Sequence, residues 1–344
     1  MVTVPKIANF AVLNKIRSIM NSLYPLKFKP IFKDKIWGGQ KVKTELGLNF
    51  GKLPNCGEVW VISGVKDNQS IVDNGFLKDN DLNELVEVYM GDLVGEKVFD
   101  KFGDEFPLLI KFIDANDWLS VQVHPDDLLA TKRKIGLGKT EMWYTLGADE
   151  NAQLISGFNQ EMDKETYLKH LNDGTLKDIL NFENVKKGDA FYMPAGRVHA
   201  LGPGILLAEI QQTSDTTYRI FDWDRVDDKG NSRELHTEEA VDAIDFKKYD
   251  SYRTTYNSEI NDTNEVVNCD KFTANLVEFN KTIYKDLEAL DSFVIYIGVE
   301  GNTILVWDDG EIKIDIGEAV IVPAYLSQIN LIPKTTSKLL EVHL

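Results

Sequence analysis

Cysteine, histidine and basic side chains are all scarce in this chain, and each scarcity narrows what it can be. Two cysteines, Cys56 and Cys269, stand among 344 residues and lack the spacing of a paired metal site. So few in so long a chain point to a reducing compartment, most simply the cytosol. Lysine and arginine number 38 against 55 aspartates and glutamates, for a net charge of −17. That balance argues against general binding to nucleic acid or to an anionic membrane, because both need a positive field. An anionic small molecule is still compatible if a local basic pocket receives it. No apolar run reaches the roughly 18 residues that a membrane span needs. With 43% hydrophobic and 27% charged residues, the chain reads as an ordinary folded protein.

The first 22 residues, MVTVPKIANFAVLNKIRSIMNS, are mildly basic and differ in texture from the rest of the chain. Their apolar stretch, residues 7–13, is too short for a signal peptide and is interrupted by Asn9. They are expected to be a short helix or frayed extension, with residues 1–19, ahead of Met20, a dispensable tail.

Beyond that extension, strand-like pieces at 58–62, 108–113 and 119–124 flank a helical one at 81–89, where Leu82, Leu85, Val86 and Tyr89 fall at helical spacing. Residues 160–181 read as a helical insertion, broken near Gly174. From 183 onward, short apolar or alternating runs bounded by Gly, Pro, Asp and Asn dominate, as at 190–193, 205–210, 293–299, 303–307, 311–316 and 319–322. Many short strands at close spacing predict a sandwich or a barrel. The polar stretch 254–266 is the best candidate for a linker. There is also an internal echo. Gly188–Pro194 (GDAFYMP) and Gly317–Pro323 (GEAVIVP) share a turn, a strand and a terminating proline. His199 lies five residues after the first proline and Gln328 five after the second, so a histidine present in one half is replaced in the other.

The strand LSVQVH carries the most chemistry. Alternation puts Leu119, Val121 and Val123 on one face and Ser120, Gln122 and His124 on the other. Three polar groups turned into a barrel would be costly unless they bind something, although a strand with one face in water gives the same pattern. In GKTEMWYTLG, Lys139 and Glu141 share a face; a surface ion pair has the same signature. In GDAFYMPAGRVHALG, a glycine turn and a proline bring His199 back at the end of a strand. The chain holds only five histidines, and two of them fall in these motif-like places; His170, His236 and His343 are assigned no role. Two imidazoles, a carboxylate and an amide oxygen suit a borderline divalent ion such as Zn²⁺, and their wide separation along the chain is unlike a structural zinc finger. In EIQQTSDTTYRIFDWDR, Glu209, Gln211 and Thr213 share a strand face, with Asp215 and Arg219 following. An arginine beside such a pocket can stabilise an anionic intermediate, or it can simply pair with Asp215.

Taken together, PLKFKPIFKDKIWGG, CGEVWVISG, FPLLIKFIDANDWLSVQVHPDD, GKTEMWY, PAGRVHALG and EIQQTSDTTYRIFDWDR span residues 24–225. In that order they resemble the type I mannose-6-phosphate isomerases of the cupin superfamily, in their short bacterial form. The resemblance implies a mainly β chain with two cupin-type β-barrels (jelly rolls) and a small helical insertion. Its expected divisions are an extension at 1–22, a catalytic barrel at 23–255 and a barrel without metal at 256–344. It implies one zinc ion held by Gln122, His124, Glu141 and His199, with Arg219 as the essential arginine. It also implies that Ser120, Lys139, Glu209 and Asp215 line the substrate pocket. The implied reaction interconverts mannose 6-phosphate and fructose 6-phosphate through a cis-enediol(ate). Glu209 is the expected base, on the argument that burial raises a carboxyl pKa, and Lys139 and Arg197 are the expected phosphate contacts. The alternatives are an iron-dependent oxygenase of the same superfamily and a non-enzymatic sugar-binding or regulatory module.

Overall fold

The computed structural model describes residues 23–226 and 230–344; the extension expected over 1–22 lies outside them. Among the described residues, twenty strands form four sheets. Sheet I runs in the order β1 (Ile31–Lys33), β2 (Glu58–Ile62), β3 (Leu108–Ala115), β10 (Ile205–Gln212), β5 (Glu141–Ala148), β8 (Ala190–Met193). Sheet II runs β11 (Tyr218–Phe221), β4 (Val121–Val123), β9 (His199–Leu201), β6 (Gln153–Phe158), β7 (Leu180–Asn184). Sheet III runs β12 (Asp262–Asn268), β13 (Thr273–Phe279), β20 (Ser337–His343), β15 (Val294–Glu300), β18 (Ala319–Val322). Sheet IV runs β14 (Ile283–Asp286), β19 (Gln328–Pro333), β16 (Asn302–Trp307), β17 (Gly310–Asp315).

These four sheets are open, and none closes on itself, so the expected pair of β-barrels is corrected to a mixed α/β fold of four open sheets. Alternation in a strand reports which face is buried, whereas closure requires ladder hydrogen bonds between edge strands. The sheets of each half instead share an apolar layer. Ile113, Trp143, Phe191 and Leu207 of sheet I meet Leu154 and Leu201 of sheet II. Val277, Tyr296 and Val320 of sheet III meet Leu305, Ile314 and Leu331 of sheet IV. The outer faces of sheets I and III pack on one another through the largest apolar cluster.

Helical content is also more widely spread than a single insertion. The helices are α1 (Lys41–Thr44), α2 (Leu82–Tyr89), α3 (Gly91–Val94), α4 (Glu96–Phe102), α5 (Asp127–Arg133), α6 (Lys164–Asn172) and α7 (Thr237–Ala243). The Asp81 carboxylate accepts from Glu84 N to cap α2, and Asp163 accepts from Thr166 N to cap α6. The segment 160–181 is helical only in part. After α6 comes Gly174 at φ +72°, then a short 3₁₀ turn over Leu176–Ile179 and strand β7. The second half of the segment read as a linker is strand β12. None of the described helices is long and apolar enough to cross a membrane.

The internal echo is structural. Gly188 and Gly317, at φ +87° and +83°, each open a turn into the edge strands β8 and β18. His199 then begins β9, and Gln328, which is exposed, begins β19. In the C-terminal half a buried polar network joins the chain's own residues instead. Lys285 pairs with Glu341 at 2.6 Å, and Tyr296 and Asn275 also donate to the Glu341 carboxylate. A buried pair with its remaining bonds satisfied holds two sheets in register without binding anything.

Candidate metal centre and active site

Sheet I supplies one wall of the site by strict alternation. Along β3, Leu108, Ile110 and Phe112 face the apolar cluster shared with sheet III, while Lys111 faces sheet II. Along β5, Met142 and Tyr144 face that cluster, and Glu141 and Trp143 face inward; along β10, Ala208 and Ile210 do so, and Glu209 and Gln211 face inward. Register aligns Trp60 with Lys111, Lys111 with Glu209, and Glu209 with Trp143, so four inward side chains form one row across β2, β3, β10 and β5. Sheet II supplies the facing wall, where Gln122 of β4 stands opposite His199 of β9 on one side and Arg219 of β11 on the other. Val121 and Val123 turn away to pack with Tyr167 and Ala240. The polar face read from LSVQVH therefore does point inward.

His124, Glu141 and His199 converge, with ligand-capable atoms within 4.8 Å of one another and all three side chains buried. His199 Nε2 is 3.3 Å from Glu141 Oε1, and His124 Nε2 is 3.6 Å from Oε2. Each imidazole spends Nδ1 on a backbone carbonyl, His124 on Thr216 O and His199 on Arg197 O, both at 2.8 Å. With Nδ1–H donating, the Nε2 lone pairs face the cluster. Burial, reinforced by the Lys139 ammonium, holds both rings neutral: His124 is driven well below its usual range and His199 to about 3. Burial, with the Glu209 charge, pushes the Glu141 carboxyl up to about 7. Glu141 Oε1 is buried with no hydrogen-bond partner. Two neutral imidazoles and a carboxylate with one oxygen unpartnered are the donor set of a borderline divalent cation, and a cation there would satisfy that oxygen. The residues therefore fit a single metal ion. Gln122 lies beside them, its amide nitrogen 3.2 Å from His199 Nε2; a 180° turn of the amide exchanges its nitrogen for its oxygen.

Through Gln122, Lys139 and Trp143 the cluster adjoins a cleft of about 380 Å³ lined by both sheets. Ser120, Gln122, Lys139, Glu209, Asp215 and Arg219, all singled out in the sequence, line this one cleft. Lys139 Nζ bonds Glu141 Oε2 and lies 3.0 Å from His124 Nε2. Arg219 Nη1 donates to Glu234 O at 2.7 Å, its backbone N–H donates to His236 Nδ1, and its Nε is buried without a partner. His236, which the sequence left without a role, thus braces the arginine. Asp215 is exposed at the edge of the cleft.

Two expectations change. Glu209 is buried, and burial alone would raise its pKa; but Lys111 and Lys139 beside it, with hydrogen bonds from Lys111 (3.0 Å) and Trp143 (2.8 Å), bring it down to about 2. The premise for a Glu209 base was a raised pKa, and the opposite holds, since both oxygens are engaged. Arg197 stacks on the rings of Tyr249 and Tyr252 and does not line the cleft. Sequence reading missed Lys33, Trp60 and Lys111. Lys111 had a signal, being a lysine inside the apolar run LLIKFI.

Residues 25–153 match the family described as phosphomannose isomerase type I, catalytic domain. The chain is 36% identical to the mannose-6-phosphate isomerase ManA of Bacillus subtilis (strain 168) over 313 residues, covering 89% of this chain and 95% of that one. It is 42% identical over 224 residues to the mannose-6-phosphate isomerase of Streptococcus mutans, covering 65% and 69%. The crystal structure of the mannose 6-phosphate isomerase from Bacillus subtilis superposes with a TM-score of 0.84 at 33% identity, over 94% of this chain and all of that one. The chain belongs to the type I phosphomannose isomerases.

Proposed function

We propose that this chain interconverts mannose 6-phosphate and fructose 6-phosphate. The observation that carries the reading is the charge of the cleft. In a chain of net charge −17, six cationic side chains (Lys33, Lys35, Lys111, Lys139, Arg219 and Arg233) line it against three carboxylates, beside a donor set for a metal. That is the local basic pocket an anionic sugar requires. A regulatory sugar-binding module would have no use for a buried His–His–Glu set with lone pairs turned inward, and the relatives that match over most of their length are isomerases.

In this reading the ion is zinc, with His124, Glu141 and His199 as ligands and Gln122 as the fourth through its amide oxygen. Such an ion polarises a carbonyl and offsets charge on a developing alkoxide. The chain's own residues do the rest. Arg219, braced by Glu234 O and His236, brings its guanidinium charge to the cleft, toward charge that develops on the enediolate oxygens. Lys139 is our assignment for the hydrogen-bond donor to the substrate oxygens at C1 and C2, because it lines the cleft and its ammonium touches His124 and Glu141. Glu209 is assigned to holding Lys111 and Trp143 in place, and Ser120 and Asp215 to sugar hydroxyls. The cytosol is the proposed compartment, in keeping with two cysteines that are both free.

A coupled assay of fructose 6-phosphate formation run in D₂O tests the reaction. Turnover with deuterium incorporated at C1 is expected. No turnover of mannose 6-phosphate would remove the proposal, and turnover with complete retention of the C2 hydrogen would favour a hydride shift over the enediolate.

A further inference from the structure

The phosphate of such a substrate has no assigned partner, and the cations of the cleft differ in how far they are already neutralised. The buried Lys111 ammonium donates to Glu209 Oε1 and Gln211 Oε1. Lys139 is paired with Glu141, and Lys35 with Glu58 at 3.1 Å. Lys33 is held differently. Its ammonium donates to the Asn68 amide oxygen and sits 4.7 Å from the centre of the Trp60 ring. No carboxylate among the described residues lies within ion-pair distance of it. Two uncharged groups thus fix the ammonium in position while leaving its charge available.

Its place along the cleft also fits. The row Trp60, Lys111, Glu209, Trp143 crosses four adjacent strands, so its ends are about 14 Å apart at a strand spacing of about 4.8 Å. Trp143 lies edge-on to His199, with ring centres 5.3 Å apart, at the metal-donor end. Lys33, on the edge strand β1, stands beyond Trp60 at the other end. An open-chain hexose 6-phosphate measures on the order of 9 Å from C1 to phosphorus, at about 1.5 Å per bond, so with C1 at the donor end its phosphate reaches the Lys111–Trp60 part of the row. There the Lys33 and Lys111 ammonium groups lie 4.7 and 5.2 Å from the centre of the Trp60 ring, and only Lys111 is already neutralised by a carboxylate.

We propose that Lys33, positioned by Asn68 and Trp60 at the mouth of the cleft, is the principal phosphate-binding residue. The assignment rests on the sugar-phosphate reading above. Steady-state kinetics with mannose 6-phosphate, inhibition by inorganic phosphate, and calorimetry of inorganic phosphate on the metal-loaded enzyme test it. Lys33→Met is expected to raise KM, and to weaken phosphate binding, by about 10- to 100-fold, the scale of one charge-assisted hydrogen bond. Its kcat should stay within about threefold, and Lys33→Arg should recover most of the binding. Lys29→Met, which removes a solvent-exposed cation outside the cleft, should change both quantities by less than about threefold. Unchanged KM and phosphate affinity in Lys33→Met, a loss confined to kcat, or an equal effect of Lys29→Met would each overturn the assignment. A wild-type chain that binds phosphate through Lys33 but does not turn over the sugar would sink the isomerase reading and leave this one standing.

Discussion

His124→Ala is expected to lose its metal and its activity together, with kcat/KM down by at least about a thousandfold, the scale on which metal-assisted catalysis depends on its Lewis acid. The side chain supplies one of three converging donors, and its Nδ1 bond to Thr216 O aims the ring. Removing it leaves one imidazole, one carboxylate and the weaker amide oxygen of Gln122, a donor set that holds the ion far less tightly. It also leaves the Glu141 carboxyl buried beside Lys139 with one neighbour fewer. The fold should persist, because the two apolar layers that flank sheet I do not include this residue. Elemental analysis of the purified variant beside its kinetics decides the matter. Stoichiometric metal with near-normal turnover would show that the ligand set is misassigned.

Arg219→Ala should behave in the opposite way toward the metal. Its guanidinium is anchored by Glu234 O, outside the donor set, so metal content and thermal unfolding should stay close to those of the parent. The loss should fall on kcat, by about 10²- to 10³-fold, the usual scale for one preorganised group facing developing oxyanion charge. Arg219→Lys should restore little of it, since an ammonium cannot both reach Glu234 O and present a second N–H in the same plane. An Arg219→Ala enzyme with kcat within about threefold of the parent would take the arginine out of the chemistry.

Much of the site was legible because it is written in short motifs. Alternation along LSVQVH, together with one glycine-turn strand each side, is enough to turn Gln122, His124, Glu141 and His199 toward one another. The echo at Gly317 carried the same local information, and the structure repeats it down to the positive φ of both glycines. What was not legible depends on partners distant in the chain. The pKa of Glu209 is set by Lys111, 98 residues earlier, and its direction reverses the one that burial alone predicts. Lys33 gains its meaning from Asn68 and Trp60, which no spacing rule connects to it. The edges of the sheets posed the same difficulty at a larger scale. Strand spacing was right to within a residue or two at β2, β8 and β18, but pairing at the sheet edges, which separates open sheets from a barrel, leaves no mark on alternation.

In the proposed isomerase, His124, Glu141 and His199 hold one catalytic zinc ion. Titrating zinc into the chelator-stripped chain, while following conversion of mannose 6-phosphate to fructose 6-phosphate, tests it most directly. Activity should rise from near zero in proportion to added zinc and level off at about one equivalent per chain, as expected for a single three- or four-ligand site. Full turnover in the stripped chain, or activity indifferent to zinc, would contradict the account.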